Sequence, residues 1–177
     1  GLVVIDVADP SDAAIVVELP LDAPPQAMAV DLARDLAIIA TDGGLVVVDI
    51  ADQAAPAVRA ARPLPDEARA VELAGNLALV GTTAALIVVD VEDADSPAQR
   101  GTLAGIEPYA IAAAEGEAGA WVGTFRELAF VDLGDPDAPS IVASLALGAR
   151  HFGLAPLPGG VLAAGDVGLV ALELAGR

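Results

Sequence analysis

Apolar residues fall along this chain in short unbroken runs, not at helical spacing. The clearest run is 44–50, GLVVVDI, and it returns at 1–7 (GLVVIDV), 85–91 (ALIVVDV), 127–133 (ELAFVDL) and, frayed, 168–174 (GLVALEL). A continuous apolar stretch rich in β-branched side chains predicts a strand buried on both faces. That burial is expected of the run at 1–7 as of the others. The acids ending the runs, Asp6, Asp49, Asp90, Asp132 and Glu173, stand 43, 41, 42 and 41 residues apart, so the chain repeats.

The segments between runs also repeat. After the first run, 8–14 (ADPSDAA) carries turn residues, 15–19 (IVVEL) reads as a strand, and 20–25 (PLDAPP) breaks it. Strands follow at 26–32 and 36–41 around an Arg34-Asp35 turn, and Asp42-Gly43 leads back to the run. The same order predicts strands at 57–64, 67–73 and 77–82, at 99–103, 109–113 and 120–124, and at 141–145, 152–155 and 161–164. Pro and Gly recur too often, and the runs are too short, for helices. Four short strands per period of about 42 residues predict an all-β fold, a β-propeller of four-stranded antiparallel blades. The whole chain, 1–177, reads as one propeller domain or propeller segment, with repeats beginning near 1, 44, 85, 127 and 168.

The quoted runs and the acidic, Pro-containing turns after them resemble the LVIVD-repeat family over essentially the whole chain. The turn resembles that family's D-x-x-D-P-x-x-P: Asp132, Asp135, Pro136 and Pro139 match in full. Asp6, Asp9 and Pro10 match with Ala13 in place of the last Pro, while Gln53 and Ala94 replace the first Pro in the next two copies. The resemblance implies a β-propeller and a bacterial or archaeal protein, secreted or at the cell surface. It implies no activity.

The third-strand run appears five times, whereas a closed ring of four blades needs four. About four blades are therefore expected, as part of a larger propeller with incomplete terminal blades, which would expose apolar faces and favour self-association. A small ring with a redundant or swapped end strand is the alternative. Residue 1 is Gly, so the chain is expected to be a trimmed mature protein or a fragment.

Composition narrows the chemistry. A net charge of −18, with eight Arg and no Lys among the basic residues, opposes nucleic acid and anionic membrane surfaces. It fits either a GC-rich genome or a high-salt habitat, where an acidic surface is screened. Hydrophobic content of 55% supports a packed core, and 3% aromatics give no stacking platform for bases. Cysteine is absent, which removes disulfides and thiolate chemistry. Asp or Glu interrupts every apolar stretch before the ~20 residues of a spanning helix, so no membrane insertion is expected.

Candidate sites are sought where the repeats disagree. Aligned repeats place Gln26, Glu67, Glu107 and Arg150 together, then Met28, Arg69, Tyr109 and Phe152, beside a constant framework of Ala29, Ala70, Ala110 and Gly153. With His151, the only histidine, these residues are expected at the mouth of the central channel as a binding face. A second set of loops on that face carries Thr41-Asp42, Thr82-Thr83, Thr124-Phe125-Arg126 and Asp166, which suit a polar funnel or, more simply, hairpin turns. Acids after each run, such as Asp93 with Asp95 and Asp135 with Asp137, have calcium-like spacing, yet Asp also caps turns and no EF-type loop is present. No metal, cofactor or catalytic constellation is expected. The function expected is a non-catalytic interaction or scaffold module binding a protein or glycan outside the cell or at its surface. The alternative is a hydrolase or lyase using Glu67, Glu107, Arg150 and His151 at the channel mouth.

Overall fold

A computed structural model describes residues 1–116, 118–148, 151–166 and 168–173, with the backbone alone at 151–152. Turn residues divide the described residues into seventeen strands. They are β1 (Leu2–Asp6), β2 (Ala14–Leu19), β3 (Pro25–Asp31), β4 (Leu36–Thr41), β5 (Gly44–Asp49), β6 (Ala57–Pro63), β7 (Ala68–Ala74), β8 (Leu77–Thr82) and β9 (Ala85–Asp90). The series continues with β10 (Ala98–Ala104), β11 (Ala110–Ala113), β12 (Gly119–Gly123), β13 (Glu127–Asp132), β14 (Ser140–Ala146), β15 (His151–Leu157), β16 (Gly160–Gly165) and β17 (Gly168–Glu173). Among the described residues no helix is long and apolar enough to cross a membrane.

The strands form five antiparallel sheets: β1–β2, β3–β6, β7–β10, β11–β14 and β15–β17. Inner strands pack in sequence, β3 on β7, β7 on β11 and β11 on β15. This is the stacking of propeller blades, with the GLVVVD-type run third in every sheet but β1–β2, where it comes first. The central runs have no polar side because each lies between two sheets. Leu45 and Val47 of β5 point into one core with Ile87 and Val89 of β9, while Val46 and Val48 join Ala37 and Ile39 in another. Leu86 and Val88 of β9 then meet Val122 and Val131 of the next sheet. The last core sets Trp121 and Phe130, edge to face at 5.0 Å, against Val161 and Ala163. Each Leu, Ile, Val or Phe side chain among them contributes about 1.5–3 kcal/mol when taken from water.

The expectation of burial on both faces fails for the first and last copies of the run. Val3 and Ile5 of β1 are 44% and 52% exposed, and Leu169 of β17 is 68% exposed. The reason is topological. A sheet face is buried only when another sheet covers it, and the outer faces of β1–β2 and β15–β17 have no covering sheet among the described residues.

Polar contacts lock neighbouring sheets at their outer edges. Arg59 on β6 makes a two-pronged contact with Asp95 of the next repeat, both prongs at 2.6 Å, and reaches Asp49 of its own sheet at 3.3 Å. One repeat later Arg100 on β10 grips Asp137 at 2.8 and 3.0 Å and Asp90 at 3.2 Å. The guanidinium beside each holds Asp95 and Asp137 below the usual carboxylate range. Arg34, paired with Asp31 at 2.6 Å, also donates to the Val91 carbonyl across the sheet interface.

Candidate functional site

The loops leading into the first strands and those joining second to third strands meet at one end of the sheets. Backbone bonds tie the two sets together: the Asp42 N–H donates to the Pro24 carbonyl at 3.1 Å, Thr83 to Glu67 at 3.2 Å, and Tyr109 to Gly123 at 2.8 Å. Variable side chains therefore ride on a repeated, fixed frame.

What each repeat presents there differs. In the β3–β6 sheet the Gln26 amide donates to Asp42 at 2.6 Å. In the β7–β10 sheet Glu67 faces Arg69 at 3.8 Å, both well exposed. In the β11–β14 sheet Glu107 is exposed, and Gly105, Ile106, Thr124, Phe125, Arg126 and Glu127 join it around a pocket of about 390 Å³. That pocket is lined by two carboxylates, a guanidinium and the ring of Phe125, which is 49% exposed. Tyr109 stands next to it, half-buried, with its N–H already bonded. Met28 is placed differently. Its strand position opposite Ile39 puts it on the sheet face turned toward β1–β2, where it is 51% exposed. Arg150 and the side chains of His151 and Phe152 lie outside the described residues. Glu67 and Glu107 lead into different sheets, β7–β10 and β11–β14.

Some of the sequence candidates have their polar atoms engaged in turns. Thr82 Oγ1 donates to the Ala85 carbonyl at 3.1 Å and accepts from the N–H groups of Ala84 and Ala85 at 3.2 and 3.0 Å. Thr124 repeats this with Glu127 and Arg126, and Thr41 donates to the Gly44 carbonyl. These hydroxyls close the hairpins before the apolar runs. The acids at the far end do likewise. Asp49, Asp90 and Asp132 each accept from the N–H two residues on, at 2.9–3.0 Å, and so do Asp52, Asp93 and Asp135. The repeated D-x-x-D is thus a pair of successive Asx turns, and its acids are spent on backbone donors. Among the described residues no group of three or more acids or imidazoles is placed to hold a metal ion.

Sequence reasoning did not anticipate Gly105, Ile106 and Glu127 in the pocket. Gly105 has φ 82°, a left-handed value suited to glycine, and it turns the chain from β10 toward Glu107. A glycine two residues before the inner-strand approach, found here and as Gly148 in the next repeat, was the available signal.

Among solved structures, the chain is similar to the crystal structure of the computationally designed Ika4 protein, with a TM-score of 0.69 and 12% identity over 88% of this chain and 94% of that one. That likeness bears on the fold alone. No curated protein matches the chain. The LVIVD repeat matches residues 1–18, 26–60 and 65–103, which spans more than half of the chain and takes in the D-x-x-D turns at 49–52 and 90–93 and the β5 and β9 runs. The chain belongs to the LVIVD-repeat family.

Proposed function

We propose that the chain is a non-catalytic interaction module, an arc of propeller blades that binds a protein or glycan outside the cell or at its surface. The observation that carries this reading is the pocket around Glu107, Phe125, Arg126 and Glu127, in a frame whose other repeats hold different polar pairs at the same place. A constant core with variable loop ends is how a rigid scaffold displays recognition groups. The ring of Phe125 offers a flat apolar surface, and the carboxylates and guanidinium offer directional hydrogen bonds. That combination suits a sugar face or a short peptide. Its volume lies within the range of small-ligand sites.

The test is to present the chain to a glycan array and a displayed peptide library, with E107A/R126A and F125A in parallel. Expected are a restricted set of ligands for the parent and loss of those ligands in both variants, with unchanged circular dichroism. Retention of every ligand by both variants would overturn the placement of the site. Failure of the parent to select any ligand would overturn the interaction role.

A further inference from the structure

The pocket beside Glu107 owes its character to three residues that its hairpin does not need. Aligned on the apolar run, Phe125-Arg126-Glu127 stand where the two preceding sheets carry Asp42-Gly43-Gly44 and Thr83-Ala84-Ala85. Those turns close in the same way: Thr41, Thr82 and Thr124 each donate to the carbonyl three residues on. Gly or Ala satisfies the turn, yet the β11–β14 sheet alone among the three complete sheets places a ring, a guanidinium and a carboxylate there.

These side chains are carried on fixed backbone. The Arg126 N–H donates to Thr124 Oγ1 at 3.2 Å, and its carbonyl accepts from the Leu147 N–H at 3.1 Å. The Glu127 N–H donates to Thr124 Oγ1 at 3.0 Å, and its carbonyl accepts from the Thr124 N–H at 2.9 Å. On the other wall the Gly105 N–H donates to the Ala84 carbonyl at 3.0 Å, and buried Ile106 is anchored in the core between two sheets. Glu107 follows it, exposed. A frame held in this way has little left to order when a ligand arrives.

The chemistry of the walls selects the ligand. Thr124 Oγ1 is spent on the turn, so the side-chain groups left to a ligand are two carboxylates, one guanidinium and the Phe125 ring. The ion pairs among the described residues use Arg34, Arg59, Arg69 and Arg100, and none of them involves Glu107, Arg126 or Glu127. A ligand seated here takes both carboxylates from water, which costs free energy unless positive charge replaces the solvent. Arg126 supplies one positive charge for two acids, so the pocket is short of one cation. The ring favours the same ligand, since an aromatic face attracts a cation. A guanidinium suits the walls better than an ammonium, because its planar fork bonds a carboxylate at two points and stacks on a ring.

We propose, building on the interaction role above, that this pocket takes the arginine side chain of a partner protein. The guanidinium of the partner lies on Phe125 between Glu107 and Glu127. Arg126 donates to main-chain carbonyls of the partner's segment and repels a second cation beside the first, so an isolated arginine is preferred to a polybasic run. The charge of −18 speeds the approach of a basic segment and turns acidic ones away.

The test is an NMR titration with Ac-Gly-Gly-Arg-Gly-Gly-amide and with its lysine and citrulline counterparts. Citrulline keeps the shape of arginine without its charge. The arginine peptide should shift the amide signals of 105–107 and 124–127, with a Kd that rises with salt. The lysine peptide should bind more weakly, and the citrulline peptide at least about tenfold more weakly. E107Q/E127Q should show the same loss with an unchanged fold, whereas E18Q/E92Q, which removes two carboxylates outside the pocket, should bind as the parent does. Equal binding of the arginine and citrulline peptides, or undiminished binding by folded E107Q/E127Q, would overturn the inference. Failure of the parent to bind the arginine peptide would also overturn it. The interaction role then stands if the parent still selects ligands from the glycan array or peptide library, and falls with it if the parent selects none.

Discussion

Gly101 on β10 offers the sharpest test of how successive repeats rest on each other. The acidic, Pro-rich turn of the following repeat lies directly on this residue. A Cβ added there would collide with the Pro136 carbonyl oxygen, lie 2.5 Å from Pro139 Cδ and 3.0 Å from the Asp137 carbonyl carbon. Two of those three obstacles are backbone and the third is a ring, so no flexible side chain can yield. G101A therefore forces the turn away from β10 or strains both. Overpacking of this kind costs about 1–3 kcal/mol. For a chain of this size each kcal/mol lowers the melting temperature by about 2–4 °C, so a fall of roughly 2–12 °C is expected by circular dichroism. The preceding repeat suggests a rescue. It has Ala60 at the position of Gly101 and Ala94 at that of Pro136, so G101A/P136A reproduces a joint the chain already tolerates. The double variant should recover part of the loss, a coupling that only touching residues show. If G101A melts with the parent, the turn does not bear on β10 and the account of sheet-to-sheet contact through the D-P-x-x-P segment is wrong.

Thr82 is buried with three hydrogen bonds to the hairpin backbone, so T82V should cost about 1–3 kcal/mol by leaving backbone groups unpaired, while T82S stays near the parent in chemical denaturation. Half-buried Glu72 has its carboxyl pushed above the ordinary glutamate value by burial. Between its unfolded and folded values the native state holds the extra proton, so its contribution to stability falls as pH rises through that window. E72Q should raise the neutral-pH melting temperature, and its advantage should vanish in acid. Asp95 and Asp137 act in the opposite sense, because their partners Arg59 and Arg100 lower their values. Their contribution is present above the unfolded carboxylate value and is lost as pH falls through the folded one. D95N/D137N should show a small loss of melting temperature at low salt that disappears at high salt, since both pairs are exposed. A salt-independent loss would mean that the two residues act by something other than charge.

The strand order was legible because punctuation is local: Gly, Pro and Asp announce turns whatever surrounds them. Burial is not local. LVVI in β1 and LVVV in β5 are nearly the same text, yet one face of β1 is open because no sheet covers it. The interlocking arginines left a trace that only the geometry makes readable. Arg59 and Arg100 both stand ten residues after a run-ending Asp, and Asp95 and Asp137 stand five residues after the next one. Val16 and Val142 hold the arginine position in the other two repeats, and the salt bridge is absent from them. At the loop end, the repeat alignment grouped Gln26, at the start of β3, with Glu67 and Glu107, just before β7 and β11. It could not say that Gln26 pairs with Asp42, or that Glu107 opens a pocket with Arg126, since these depend on how two loops from one sheet lean together.

The central claim is that one repeated strand is sealed in the middle of the molecule and open at its ends. Amide hydrogen exchange in dilute solution measures this strand by strand. The run in β5, β9 and β13 should exchange slowest, and the same run in β1 and β17 should exchange far faster. Equal protection of all five copies in a verified monomer would contradict the claim, because it would require the two terminal sheets to be covered within a single chain.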